Sequence, residues 1–566
     1  MPTTKLGNRT LLLMFVGAGL ASGIAAVLFH AAIVASRHLM LDRAFQTTGL
    51  TRGALLIAIP TLTAAILGVI VQRFAPSALG ANLARVRRAY VEDVGHLDAK
   101  TVLFTFLLTP LSLASGAPLG PEGPTVVVTS GLSVWIARVF KLPRKVLRGM
   151  IPVGTAAGIA AIFRTPITGV VFALEELFGT SSRSLLGGTL IAAVAAAVVQ
   201  QITSPGSERI LPATAATWHH VWELGGFTIV GICAGVMSGV ALRCAAALRD
   251  RLRRRFAQVW IRFAIGGLAV GLLGVLSPTM LGVGYDTTSF LVRGGGSLLF
   301  DAEAFGSKIL GFMIAASTGL LGGTFAPSLL IGASLGALVG HAGRLLFDVS
   351  LDSGAYALVG MGAYFAGTLR APIAAVLIVV ELTNDYGLII PLMLAVALSQ
   401  LISQAIAPQT LEEDQLSREG VRHAPELRDP LGRLVVKDVM TTAPVTFTGS
   451  TPIVEAIERT RDLRHQAYPV VDDHGRLAGL LFGDDIARCV RQQRLDATVE
   501  DLRQPHLIAA REDEAVRDLL DRMAATAVDR CPVVDANGTV VGFVSPSDLM
   551  RARFREQPLI GEETLR

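Results

Sequence analysis

Glu122 is the residue of this chain whose type is least expected from its surroundings. It lies in Gly120-Pro121-Glu122-Gly123-Pro124-Thr125, between the apolar run 101–117 and the Val-rich start of another. A carboxylate is expensive in hydrocarbon, and one placed there is functional by default. The glycines and prolines beside it break a simple spanning helix, and broken helices persist only where they line a cavity. An ionised Glu122 can occupy the amide-lined position of a bound anion and compete with it. Protonation removes that competition, so one carboxyl could act as both gate and proton carrier. A structural carboxylate in an interfacial loop is the competing reading.

A second broken segment, Gly322-Gly323-Thr324-Phe325-Ala326-Pro327, has the same character. Both breaks put helix starts inside apolar sequence, where the first N–H groups lack internal acceptors and carry the positive end of the dipole. Pro124 and Pro327 suit a first turn, where no donor is lost. An anion held by such amides is bound yet free to leave. Ordinary Pro/Gly kinks are the plain alternative. Glu176 ends a later apolar stretch beside Glu175, and its spacing leaves two roles open, a proton relay or a solvated helix-end carboxylate.

The elements that must carry these residues are membrane helices. The 566 residues are 51% hydrophobic and 17% charged, with mean hydropathy +0.54, which excludes a disordered chain and argues against a soluble enzyme. Apolar stretches long enough to span fall at about 10–36, 51–73, 101–117, 150–174, 184–204, 221–245, 262–279, 305–321, 355–380 and 384–406, with 120–138 and 322–340 as partial helices. The first stretch is longer than a signal-peptide core and reads as a retained helix. Net charge is +5, but the arginines cluster beside apolar runs, most densely at Arg243, Arg249, Arg251 and Arg253–Arg255. That is the positive-inside pattern of cytoplasmic loops, and the aromatic platform of a nucleic-acid site is missing. With 10 His, of which only the adjacent His219 and His220 fall together in the apolar half, the sequence argues against a membrane enzyme. A cation transporter would need more pathway carboxylates. Cys489 and Cys531, in the soluble part after about Leu411, fit a reducing cytoplasm.

The sequence repeats. Gly154, Arg164, Pro166 and Glu175 recur as Gly360, Arg370, Pro372 and Glu381, at an offset of 206 residues without a gap. Glu175 therefore has a partner, which favours a capping role, whereas Leu382 stands where Glu176 would recur. Two homologous halves with paired broken helices point to a transport pathway at their interface, although the repeat alone does not say whether the halves are parallel or inverted. In the tail, Asp438, Pro469, Gly475 and Asp485 recur as Asp501, Pro532, Gly538 and Asp548, at an offset of 63. Each copy reads as a small α/β module, and the two modules are expected to pack on one another.

Together these residues resemble the CLC chloride channel and transporter family, over about 10–406, followed by a tandem pair of CBS modules. The resemblance implies an all-α polytopic fold with two inverted repeats and partially spanning broken helices, plus a soluble α/β CBS pair. It divides the chain into a transport domain (1–410), a linker (411–433), two CBS modules (434–493 and 494–556) and a tail (557–566). It implies a homodimer in the inner (plasma) membrane with a cytoplasmic CBS tail, chloride and protons as the transported species, and no cofactor required. Glu122 resembles the external gating glutamate and Glu176 the internal glutamate of proton-coupled members. The implied anion-binding residues are Gly80, Ala81, Asn82, Leu83, Gly120, Pro121, Gly123, Gly323, Thr324, Phe325 and Ala326. Asp485 and Asp548 fall where CBS pairs contact the ribose of an adenine nucleotide (AMP, ADP or ATP); a helix-capping role stays equally open.

Three departures from the family pattern bear on the site. Ala81 stands in place of a serine donor, with Asn82 beside it. Pro121 replaces a basic residue and removes a backbone donor. The pore-lining tyrosine falls, by count from Glu381, on Glu412. A central site without those hydroxyls is expected to hold chloride weakly, which keeps a slipping or channel-like mode open beside chloride/proton exchange. Asn82 keeps a fluoride/proton antiporter open, and the tail a nucleotide-responsive scaffold without flux.

Overall fold

The computed structural model describes residues 8–80, 83–91, 97–142, 144–178, 183–203, 218, 220–347, 351–419, 434–461, 466–505, 508–526 and 528–556. The chain divides into two units, Met1–Val421 and Arg422–Arg566. The helix Leu411–Arg418, expected in a linker, therefore belongs to the first unit; it packs on the helices Leu83–Val91 and Glu223–Arg255.

In the first unit, 8 helices among the described residues are long and apolar enough to cross a membrane. Phe325–Phe347, expected as a partial helix, is one of them. The stretches 150–174 and 355–380 are each two helices rather than one. Arg144–Phe163 stops and Pro166–Ala173 begins, as Ser353–Leu369 stops and Pro372–Thr383 begins. Arg164 and Arg370 take positive φ of 58° and 62° at the two breaks. Proline at the first position of the new helix loses no donor and bars the preceding residue from helical backbone.

The two halves pack alike. Asn8–Arg37 lies on Arg183–Thr203, and Glu223–Arg255 on Ile389–Ile406. Glu122–Val139 lies on Arg144–Phe163, and Phe325–Phe347 on Ser353–Leu369. Close approach rests on small residues: a Cβ on Gly231 would stand 2.8 Å from Ala395 Cα, and one on Gly360 would strike the Gly332 carbonyl.

The halves also hold each other reciprocally. Glu381 accepts from the N–H groups of Ile167 (3.0 Å) and Thr168 (2.6 Å) at the start of Pro166–Ala173. Glu175 accepts from the N–H groups of Ile373 (2.9 Å) and Ala374 (2.8 Å) at the start of Pro372–Thr383. Each half thus caps a helix of the other with the same residue, which is what a two-fold relation between repeats requires.

In the second unit the strands are β1 (Thr441–Thr442), β2 (Phe447–Thr448), β3 (Ala467–Val471), β4 (Leu477–Phe482), β5 (Ala510–Arg511), β6 (Cys531–Val534) and β7 (Val540–Val544). They form sheets β2-β3-β4 and β1-β7-β6-β5. In both modules a parallel pair leads to an antiparallel hairpin with a register shift at the matching valines, Val470/Val471 and Val533/Val534. Gly475 and Gly538 make the hairpin turns at φ 76° and 84°. The modules clasp through these turns, Leu477 N–H to Gly538 O (3.1 Å) and Val540 N–H to Gly475 O (3.2 Å), and β1 of the first module completes the sheet of the second.

Candidate anion pathway

Two broken segments meet at the centre of the first unit. Gly120 and Gly323 exchange both backbone hydrogen bonds, N–H to O at 2.8 and 2.6 Å, as a one-pair antiparallel bridge. Their amides, expected among the anion donors, are therefore spent on each other, and this corrects that expectation: the two glycines brace the segments. Only glycine fits, since a Cβ on Gly120 would overlap the Glu122 carboxyl and one on Gly323 would lie 2.9 Å from Gly123 N. Pro121 likewise has no amide to offer; its carbonyl accepts from Thr125 N–H and hydroxyl, each at 2.9 Å.

From this bridge two helices start, at Glu122 and at Phe325. The first-turn N–H groups of Gly123, Phe325 and Ala326 have no acceptor within their own helices. Phe325 is fixed by rings of Phe163 (5.8 Å), Phe172 (5.0 Å) and Phe365 (4.5 Å). The Glu122 side chain is wholly buried. Its carboxyl accepts from the Tyr285 hydroxyl and from Ala326 N–H at 3.4 Å. A carboxylate in the first turn of one helix thus sits on the amide of the other. An ionised carboxylate has about four acceptor sites, and the Glu122 main-chain N–H bonds it as well.

At the other end of the segment, the Thr324 hydroxyl donates to Glu412 at 3.0 Å. A narrow void of about 10 Å³, near the size of one water, is bounded by Leu83, Gly123, Gly323, Thr324, Phe325 and Glu412, among others. Beyond it opens a cavity of about 310 Å³ lined by Arg85, Arg88, Arg249, Arg253 and Arg262, with Gly80 on its wall. Five guanidinium groups around one cavity concentrate anions at its mouth. Ala81 and Asn82 lie outside the described residues.

Glu176 is buried and pairs with the Arg87 guanidinium, which also stands 3.7 Å from Glu413. Glu175, its neighbour, is the helix cap described above. Glu412, the residue on which the count for the tyrosine position falls, presents a carboxyl to the Thr324 hydroxyl. The hydroxyls that do serve the site come from Tyr285 and Thr324. Tyr285 and Arg87 escaped the sequence reading. Tyr285 follows the Gly282-Val283-Gly284 break, a third interruption of the apolar pattern. Arg87 lies among Arg85 and Arg88, where sequence alone does not single it out.

In the tail, Asp548 accepts from Ser545 N–H (2.9 Å) and hydroxyl (2.6 Å), Thr441 hydroxyl (3.0 Å) and Arg551 (2.7 Å). In this way it caps the helix Pro546–Glu556. Asp485 is tied to Gln504 Nε2 at 2.6 Å. The cleft of about 550 Å³ in this unit contains neither residue; Asp472, Asp473 and Glu500 line it against the lone Arg503, itself bonded to Glu500. That lining does not fit a nucleotide phosphate.

Comparison with known proteins agrees with this architecture. Residues 63–404 match the voltage gated chloride channel family, and 436–492 and 499–555 match the CBS domain. The chain is 32% identical to a putative chloride channel protein ClcB-like of Ralstonia nicotianae, over 57% of this chain and 76% of the relative. It is 30% identical to the voltage-gated ClC-type chloride channel ClcB of Escherichia coli, over 57% and 77%. Among solved structures, a slow cyanobacterial Cl-/H+ antiporter aligns at TM-score 0.67 and 23% identity, over 73% of this chain and 99% of that one. A eukaryotic CLC transporter aligns at TM-score 0.64 and 17% identity, over 95% and 97%, and a CLC-type fluoride/proton antiporter at TM-score 0.62 and 23% identity, over 73% and 99%. A helical membrane unit with this match over most of its length, followed by paired modules, places the chain in the CLC family of chloride channels and transporters, with a C-terminal CBS pair.

Proposed function

We propose that this chloride-transporting family member exchanges chloride for protons along the path from the arginine-lined cavity past Thr324 to Glu122. The observation that carries the reading is the buried Glu122 carboxyl on Ala326 N–H, a side chain occupying an amide position suited to an anion. When Glu122 takes a proton, its claim on that amide weakens and chloride replaces it; when it loses the proton, chloride is displaced. Glu176, buried beside Arg87, is the proton's entry point from the cytoplasmic side. The arginine clusters beside the apolar helices support a cytoplasmic side for the broad cavity; on this reading the CBS tail is cytoplasmic and the protein is an inner-membrane homodimer with one pathway in each subunit.

A second reading is favoured by Glu412. With a carboxyl where the family has a hydroxyl, the central position holds chloride weakly and the coupling slips. Chloride and proton fluxes measured together in vesicles of purified protein test both readings. Glu122→Gln should abolish proton flux and leave chloride flux running. Unchanged proton flux would overturn the assignment of Glu122, and fluoride passing far faster than chloride would overturn the choice of anion.

A further inference from the structure

Glu412 has no structural duty that accounts for its burial. The helix it belongs to is capped by its neighbours: Thr410 accepts from Glu413 N–H at 3.1 Å, and Glu413 accepts from Thr410 N–H at 2.9 Å. Glu412 instead turns inward, 5% exposed, onto the Thr324 hydroxyl. It and Thr324 line both the narrow void and the arginine-lined cavity, so the Thr324–Glu412 contact is the wall between them. Ala326, two residues along the same segment, holds Glu122. One amide-bearing segment is thus bracketed by two glutamates.

We propose that Glu412 is a second carboxyl gate, closing the passage from the arginine-lined cavity when ionised and opening it when protonated. This rests on the reading of the segment as the anion path.

An anion entering from the cavity must pass the carboxyl. A unit negative charge about 4 Å from a bound anion disfavours it on the order of a thousandfold, even at an effective dielectric near 20. A protonated carboxyl exerts no such repulsion and can donate a hydrogen bond to the anion. The charged groups around it allow the switch. From Leu83–Val91 come Arg87, shared with Glu176 and Glu413, and Arg88, paired with Glu419 at 3.0 Å. From Glu223–Arg255 comes Arg249, already engaged by Asp414. Arg370 donates to the carbonyls of Ala407 and Pro408. Glu176 and Glu413 share Arg87, whose charge also acts on Glu412, so a proton taken by any one of the three relieves the other two.

The test removes the outer gate first. In full-length Glu122→Gln protein in vesicles, chloride flux should still fall tenfold or more as pH is raised equally on both sides, because Glu412 remains. In the double variant Glu122→Gln with Glu412→Gln, flux should be high and flat with pH. A flat profile in Glu122→Gln alone overturns the proposal, and it needs no substitution at Glu412. So does a double variant, monodisperse on sizing, that keeps the slope. If the path itself is misread, Glu122→Gln leaves proton coupling intact, a result distinct from either.

Discussion

Replacing Tyr285 with phenylalanine removes one atom from the site. The ring keeps its shape and its edge contact with Phe163 at 6.4 Å, so packing is unchanged to first order. What is lost is the hydroxyl that donates to Glu122. Besides the residue's own main-chain N–H, the carboxyl has Ala326 N–H at 3.4 Å, beyond the usual 2.7–3.2 Å for N–H···O bonds. A hydrogen bond to a charged group contributes about 1.5–3 kcal/mol. Tyr285→Phe should therefore shift the balance between seated and displaced Glu122 by roughly 10- to 150-fold toward displacement. In vesicles at neutral pH, chloride flux should rise until another step limits it, and the ratio of chloride to proton moved should rise with it. At acid pH, where Glu122 carries its proton in both proteins, the two rates should converge. Equal flux and equal coupling at neutral pH, in protein that elutes as the parent does, would refute the hold of Tyr285 on the gate.

The remaining expectations concern the scaffold and the tail. Glu381→Ala and Glu175→Ala each leave two helix-start N–H groups without their carboxylate, at about 1.5–3 kcal/mol, and both should lower the melting temperature in detergent by similar amounts. Gly336→Ala drives a methyl into the Tyr356 carbonyl and should destabilise by about 1–3 kcal/mol or more, whereas Gly306→Ala, with open space at its Cβ, should not destabilise. Burial pushes the Cys531 thiol up to about 12 from 9.0. Its folded value lies above its unfolded one, so its contribution is complete below about pH 9 and is lost as pH rises toward 12. Labelling of Cys531 in a variant lacking the other cysteines should show the tail opening more readily across that window.

How much of this could be read from the chain follows from the range of each signal. The Glu122 segment, the two repeats and the capping role of Glu175 are written in contiguous residues or in fixed offsets, and such patterns survive without a fold. The breaks at Arg164 and Arg370 are blurred by hydropathy, which averages across a single bent residue. Tyr285, Arg87 and Glu412 reach the site from helices 163, 89 and 88 residues away from their partners, and no local pattern records which apolar faces will meet. The mutual bridge of Gly120 and Gly323 has the same cause: each glycine looks like a free donor until its counterpart is placed opposite.

The two-fold relation also says where function must lie. A symmetric scaffold puts equivalent residues in equivalent surroundings, so a residue that recurs and makes the same contact in both halves is explained by the architecture. Glu175 and Glu381 are of this kind, and Arg164 and Arg370 share a positive φ at the breaks. The positions where equivalence fails need another cause. At an offset of 203 the broken segments align Glu122 with Phe325, and at 206 the helix ends align Glu176 with Leu382. In each pair the first half carries an acid where the second carries an apolar group, and both acids are buried. A buried carboxyl that the scaffold does not require is retained at a cost in stability. Substituting Glu122 by glutamine should therefore leave the melting temperature unchanged or raised while proton flux falls, whereas Glu176→Gln, which leaves the buried Arg87 without its main partner, should lower it, as should loss of either member of the capping pair.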